Sequence, residues 1–300
     1  MSTFTWRGND NRWSYAGNWI ENQVPPDGSD VVIDAGNVIV TWPALAPTAP
    51  VTLKSLTINL SDRAGAAQLM NNGFPNGAIS VAESFTLTNA VGARQDITLG
   101  TYDGAKIQLL DGCVASVVLD CSLNTAALFM NVNSGAFLEM TEQVPGVVGV
   151  GGLYLADEVA HQGTITCHSL GNISFPQVLG EGCILNMHGP AAIWAGFQVD
   201  GQATVNLFDE STILGMSVNS HFTINARQGV SLTYCAVNED FIINAEGPVL
   251  IAGATGAAGK AIGVNILSPQ AECLQMEIAD VAVNVLGRYA RGMSGTMARC

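Results

Sequence analysis

The chain is short of positive charge, of charge altogether, and of aromatic side chains. Its 300 residues hold 11 Lys and Arg against 25 Asp and Glu, a net charge of −14. From Ile107 to Ala226 there is no Lys or Arg at all. Nucleic-acid binding, which depends on cations neutralising phosphates, is therefore not expected. Only 12% of residues are charged while 48% are hydrophobic, which excludes an intrinsically disordered chain. No uncharged apolar run approaches the ~20 residues that cross a bilayer as a helix, so no membrane partner is expected. The opening Met1–Arg7 has no apolar core of signal-peptide length, and synthesis in a host cytoplasm without Sec export is expected. Seven cysteines, odd in number and without a CxxC pair, oppose a disulfide framework and fit reduced thiols.

What the chain does have is a repeat. An aliphatic-Asn-aliphatic triplet recurs at Leu185-Asn186-Met187, Val205-Asn206-Leu207, Ile224-Asn225-Ala226, Ile243-Asn244-Ala245, Val264-Asn265-Ile266 and Val283-Asn284-Val285. The asparagines are spaced by 20, 19, 19, 21 and 19 residues, and Ile165-Thr166-Cys167 fits one step earlier with Thr in place of Asn. Because strand side chains alternate between faces, the aliphatic columns point to a core and the Asn column points outward. A second apolar column follows seven residues later, at Ile173, Ile193, Ile213, Leu232 and Ile251. Its register fails at Glu272, where Cys273 or Leu274 must take over through a one- or two-residue insertion. A coil of ~20 residues that buries its apolar side only by stacking on copies of itself is the rung of a β-solenoid. The predicted fold is thus all-β, a single-stranded parallel β-helix with ~20-residue rungs and an N-terminal Trp-rich cap.

Residues 1–50 are expected to form the cap with its first strands, 51–287 the parallel β-helix, and 288–300 a C-terminal arm. In the less regular first half, Leu56-Thr57-Ile58, Phe85-Thr86-Leu87, Ile97-Thr98-Leu99, Ile107-Gln108-Leu109 and Val117-Val118-Leu119 read as further rungs. Longer loops are expected at Trp42–Pro50 and Ser61–Gly77.

Four of the five tryptophans, Trp6, Trp13, Trp19 and Trp42, lie near the start and suit a cap that closes an open core. They are also candidates for docking a partner. The stretch Trp6-Arg7-Gly8, Trp13, Asn18-Trp19, then Pro25-Pro26 and Asp30-Val31-Val32-Ile33, resembles the opening of many β-solenoid proteins of bacterial surfaces and phages. That resemblance covers residues 6–33 and implies a right-handed β-helix. Among such proteins, one without an export signal and solenoid nearly throughout is expected to be a phage capsid decoration (cement) protein or head spike. It would be a non-enzymatic part of the virion that braces the particle, contacting itself as a homotrimer and the major capsid protein or another virion protein. The alternatives are a tailspike that binds or degrades polysaccharide and, more remotely, a bacterial surface adhesin.

The chemistry-bearing residues are few. The column two residues after the Asn holds His168, His188, Phe208, Arg227, Glu246, Leu267 and Leu286. Apolar members facing outward in a line suggest a subunit interface around a threefold axis. Two histidines are few for zinc, and neither a metal nor a cofactor is expected. Glu181, Asp200, Glu239 and Asp240 fall along one acidic edge, where a carboxylate pair for polysaccharide cleavage would form in the tailspike alternative. No catalytic residue is assigned.

Overall fold

The computed structural model describes residues 2–8, 12–34, 39–42, 51–60, 67–71, 79–89, 97–99, 107–120, 125–144, 152–155, 160–168, 172–174, 178–189, 191–194, 198–276 and 278–287. Among these residues the only helical element is the 3-10 turn Ala16–Asn18; everything else regular is β-strand. Every strand pairing whose register is described is parallel, and an isolated antiparallel bridge joins Trp6 to Trp19. The chain is a parallel β-solenoid, and it divides into two compact units, Met1–Asp157 and Glu158–Cys300.

The second unit is the regular one, with three strands to a rung. Its first side stacks Thr164–His168, Ile184–His188, Ala203–Leu207, Phe222–Ala226, Phe241–Ala245, Ala261–Ile266 and Ala282–Leu286. The second side runs through Asn172–Ser174, Ala191–Trp194, Ser211–Leu214, Val230–Thr233, Val249–Ala252 and Cys273–Met276. The third stacks Val178–Leu179, Gln198–Val199, Ser217–Val218, Ala236–Val237 and Thr255–Gly256.

Alternation makes the core. Leu185, Val205, Ile224, Ile243 and Val264 stand in register and are 0–3% exposed, each aliphatic group covered by the like group of the next rung. Burying one such side chain is worth roughly 1.5–3 kcal/mol, and no rung could gain that alone. Phe222 and Phe241 fill a neighbouring column with ring centroids 5.9 Å apart. The second column is as expected: Ile173, Ile193, Ile213, Leu232 and Ile251 are consecutive partners. Corners demand small residues where rungs touch; a Cβ at Gly247 would overlap the carbonyl oxygen of Gln228 in the rung below.

Two registers differ from the expectation. After Ile251 the column passes to Gln275, because Cys273 pairs with Val249; the inserted loop is longer than one or two residues. In the last strand Asn284 pairs with Gly263, and Leu286 lies beside Asn265. The Val-Asn-Val triplet therefore sits two residues out of phase with the others, a shift that keeps every side chain on its own face.

The first unit has longer, less even rungs. Its first side stacks Thr3–Thr5, Asp30–Asp34, Val51–Leu60, Ile79–Asn89, Val114–Asp120 and Phe137–Val144. Register partners Leu56, Phe85, Ala115 and Leu138 are 29, 30 and 23 residues apart. The triplets at 97, 107 and 117 are consequently not three rungs. Ile97–Leu99 lies on the second side, while Ile107–Leu109 and Val114–Asp120 pair with the two halves of Ile79–Asn89. The turn that splits them uses Gly112 at φ 79°. Within the expected loop 61–77, Ala67–Asn71 forms a strand against Ile39–Trp42. The arm 288–300 lies outside the described residues.

Candidate functional site

Three columns of side chains point outward from the first side of the second unit. The central one is the Asn column, and it forms a continuous hydrogen-bonded ladder. Asn186 Nδ2 donates to Thr166 Oγ1 at 3.2 Å. Asn206, Asn225, Asn244 and Asn265 each donate through Nδ2 to the Oδ1 of the Asn in the preceding rung, at 2.8, 2.7, 2.8 and 2.9 Å. Asn284 stands outside the ladder, because of the shifted register. Each amide satisfies its neighbour while remaining half-buried, so the ladder ties rungs together without drawing on the core.

On one side of this ladder Thr164, Ile184, Thr204, Thr223, Ile242 and Gly263 follow one another in register, with Ile184 39% and Ile242 44% exposed. On the other side the interface candidates form a stack. His168 and His188 lie ring on ring at 4.7 Å, and His188 and Phe208 at 4.0 Å with their planes 5° apart. The Arg227 guanidinium carbon is 4.7 Å from the Phe208 centroid, a cation–π contact that extends the stack by a rung. Glu246 and then Leu267 occupy the same place in the next two rungs, as their backbone N–H bonds to Ala226 and Ala245 fix. Leu286, expected to end this stripe, is instead in the Asn column and is 58% exposed. Stacked rings present edges rather than faces to solvent. The histidines face each other and Phe208, and among the described residues no group of three His, Cys, Asp or Glu could hold a metal ion.

The acidic edge is taken up by bonds between rungs. Glu181 Oε2 accepts the Gln202 N–H at 2.9 Å. Asp200 accepts from Gln198 at 2.7 Å and from Asn219 Nδ2 at 2.9 Å, and Asn238 Nδ2 in turn donates to Asn219 at 2.7 Å. A second, shorter ladder thus runs Asp200, Asn219, Asn238. Glu239 pairs with Lys260 Nζ at 2.7 Å, and Asp240 accepts the Ala261 N–H at 2.8 Å. The Lys260 hydrogen bond lowers the Glu239 carboxyl below its usual value, the direction opposite to that of a general acid. Asp209, at a different corner, accepts from the Gly189 N–H at 2.7 Å and from Gln228 at 3.0 Å.

The sequence reading missed Lys260 as a partner of this edge and missed the Asp200 ladder. The 19-residue spacing of Asp200, Asn219 and Asn238 was a visible signal for the second. Nothing local marks Lys260, which reaches Glu239 only because the rungs stack.

In the first unit the cap tryptophans are brought together. Trp6 and Trp13 both meet Trp19 edge-on, at 5.0 and 4.7 Å. Trp19 Nε1 donates to the Trp13 carbonyl at 2.9 Å, and the three indoles are 5%, 1% and 0% exposed. They are buried, as is Phe4 of the first strand, and do not project from the surface. Trp42 ends the strand Ile39–Trp42, and its side chain lies outside the described residues. The fold and this face define a parallel β-solenoid with a neutral, laddered flank. No family, curated protein or solved structure matches the chain.

Proposed function

We propose that this β-solenoid is a non-enzymatic structural protein of a virion, a phage capsid decoration (cement) protein or head spike that braces the particle. The observation that carries the reading is the flank of the second unit. In a chain of net charge −14, its three outward columns hold amides, hydroxyls, aliphatics and stacked rings, with Arg227 as their basic and Glu246 as their acidic member. Depletion of charge on a flat, rigid surface is the mark of a protein-binding face. The carboxylates that a glycosidase would need are occupied in bracing adjacent rungs, which suits a scaffold. The resemblance of residues 6–33 to β-solenoids of phages and bacterial surfaces is compatible with a virion setting.

The test is a binding and cleavage comparison on the purified chain. Co-sedimentation with assembled capsids of the source phage, lost when Asn206, Asn225 and Phe208 are each replaced by Lys, is expected. Depolymerisation of capsular or O-antigen polysaccharide, abolished by Glu181→Ala or Asp200→Ala, would overturn this reading in favour of a tailspike.

A further inference from the structure

The order of residues along the stacked column constrains how a second copy can sit on this flank. Reading up the rungs, the column is His168, His188, Phe208, Arg227, Glu246, Leu267. If copies pack with rungs running the same way about a threefold axis, each Arg227 meets Arg227 and each Glu246 meets Glu246. Like charges brought together in a partly desolvated contact oppose association. If two copies pack with rungs running oppositely, about a twofold axis between the Arg227 and Glu246 rungs, the column becomes complementary to itself. Arg227 then faces Glu246 and Phe208 faces Leu267, each pair occurring twice, as an isologous contact requires.

The other two columns agree. Under the same twofold, Thr223 faces Ile242, Thr204 faces Gly263, and Ile184 faces Asn284. From Asn206 to Asn265 the Asn ladder lies against its own copy in reverse, so amide N–H groups and carbonyls not used within the ladder meet their complements, while Asn186 faces Leu286. Among the described residues Glu181, Asp200, Asp209, Glu239 and Asp240 lie at other corners, so none of them is set against Glu246.

We propose that the flank of the second unit is a self-association surface for an antiparallel dimer, its twofold passing between the Arg227 and Glu246 rungs. This rests on the reading of the flank as a protein-binding face and replaces the threefold arrangement expected from sequence. Seven strands spaced by about 4.8 Å and three outward positions about 7 Å apart make a patch near the low end of specific interfaces. The dimer is accordingly expected to be a micromolar one.

Sedimentation equilibrium of the full chain between about 1 and 200 μM tests it, since a micromolar constant falls inside that range. A monomer–dimer equilibrium is expected, weakened at least tenfold by Arg227→Glu and likewise by Glu246→Arg. An equimolar mixture of those two variants should recover the wild-type affinity. Both side chains are exposed, so unchanged far-UV circular dichroism will separate lost contact from lost fold. Orientation is read by cysteine cross-linking: Ile184→Cys should form a disulfide with Asn284→Cys of another copy and none with itself. A trimer, or an Ile184→Cys self-disulfide, would overturn the twofold while leaving a self-associating flank. A strict monomer at 200 μM would overturn the inference entirely, and capsid co-sedimentation would still decide the proposed function by itself.

Discussion

Tyr234 is held in the left-handed region at φ 57°, at a corner where the rungs on either side carry Gly215 at 76° and Gly253 at 66°. A side chain there costs roughly 1–2 kcal/mol that glycine avoids, partly offset by glycine's greater freedom when unfolded. The ring is 67% exposed and lies over Gly253, where a Cβ would come within 3.0 Å of Tyr234 Cδ1. Tyr234→Gly is therefore expected to leave the melting temperature unchanged or raise it by about 1–3 °C. A fall of several degrees would show that the ring's contact with Gly253 outweighs the backbone strain. The five described cysteines are buried, and burial pushes Cys113 up to about 11 and Cys183 and Cys235 up to about 12. Native protein at neutral pH should leave these thiols unlabelled by maleimide, and denatured protein should expose them.

At the scale of the strand, the Asn ladder is the feature that joins sequence to mechanics most directly. Asn225 donates to Asn206 and accepts from Asn244, so Asn225→Ala removes two bonds at once. The loss is expected to be about 1–2 kcal/mol, because the amides are half-buried and water replaces part of what is removed. Urea denaturation should show a lower midpoint with an unchanged slope. Asn284→Ala, outside the ladder, should cost much less, and an equal cost at both positions would mean that the ladder bonds contribute little. The ladder was legible from the triplets because strand alternation sends each Asn outward. The exclusion of Asn284 was not, since moving Val-Asn-Val by two residues changes no side chain's face. Only the backbone pairing of Ala282–Leu286 with Ala261–Ile266 fixes the register.

For the whole molecule, the buried thiols set a pH dependence. In the unfolded chain they ionise near their ordinary value of 9.0, while the folded chain keeps Cys113, Cys183 and Cys235 protonated to about 11, 12 and 12. Between those values the native state binds more protons than the unfolded one, so stability falls as pH rises. It should be intact at pH 8 and decline from about pH 9 upward, as followed by the urea midpoint. Replacing Cys183 and Cys235 by Ala should flatten that alkaline limb; an unchanged limb would assign it to other groups.

In the regular second unit, sequence by itself determined the strands of the first two sides, their alternation, the rung period and the chemistry of the outward columns, because each follows from spacing along one chain. The stack of His168, His188, Phe208 and Arg227 belongs with these, since residues at a fixed phase must lie one above another once rungs form. Tertiary structure decided what depends on how loops of unequal length close. It placed Ile97–Leu99 and Ile107–Leu109 on two sides of one coil, and it moved Leu286 into the Asn column. It also brought Lys260 to Glu239 and folded three indoles into one another at the cap. The pairing of backbones across rungs is a contact between residues 19 to 30 apart. No local pattern constrains it once a loop departs from the repeat.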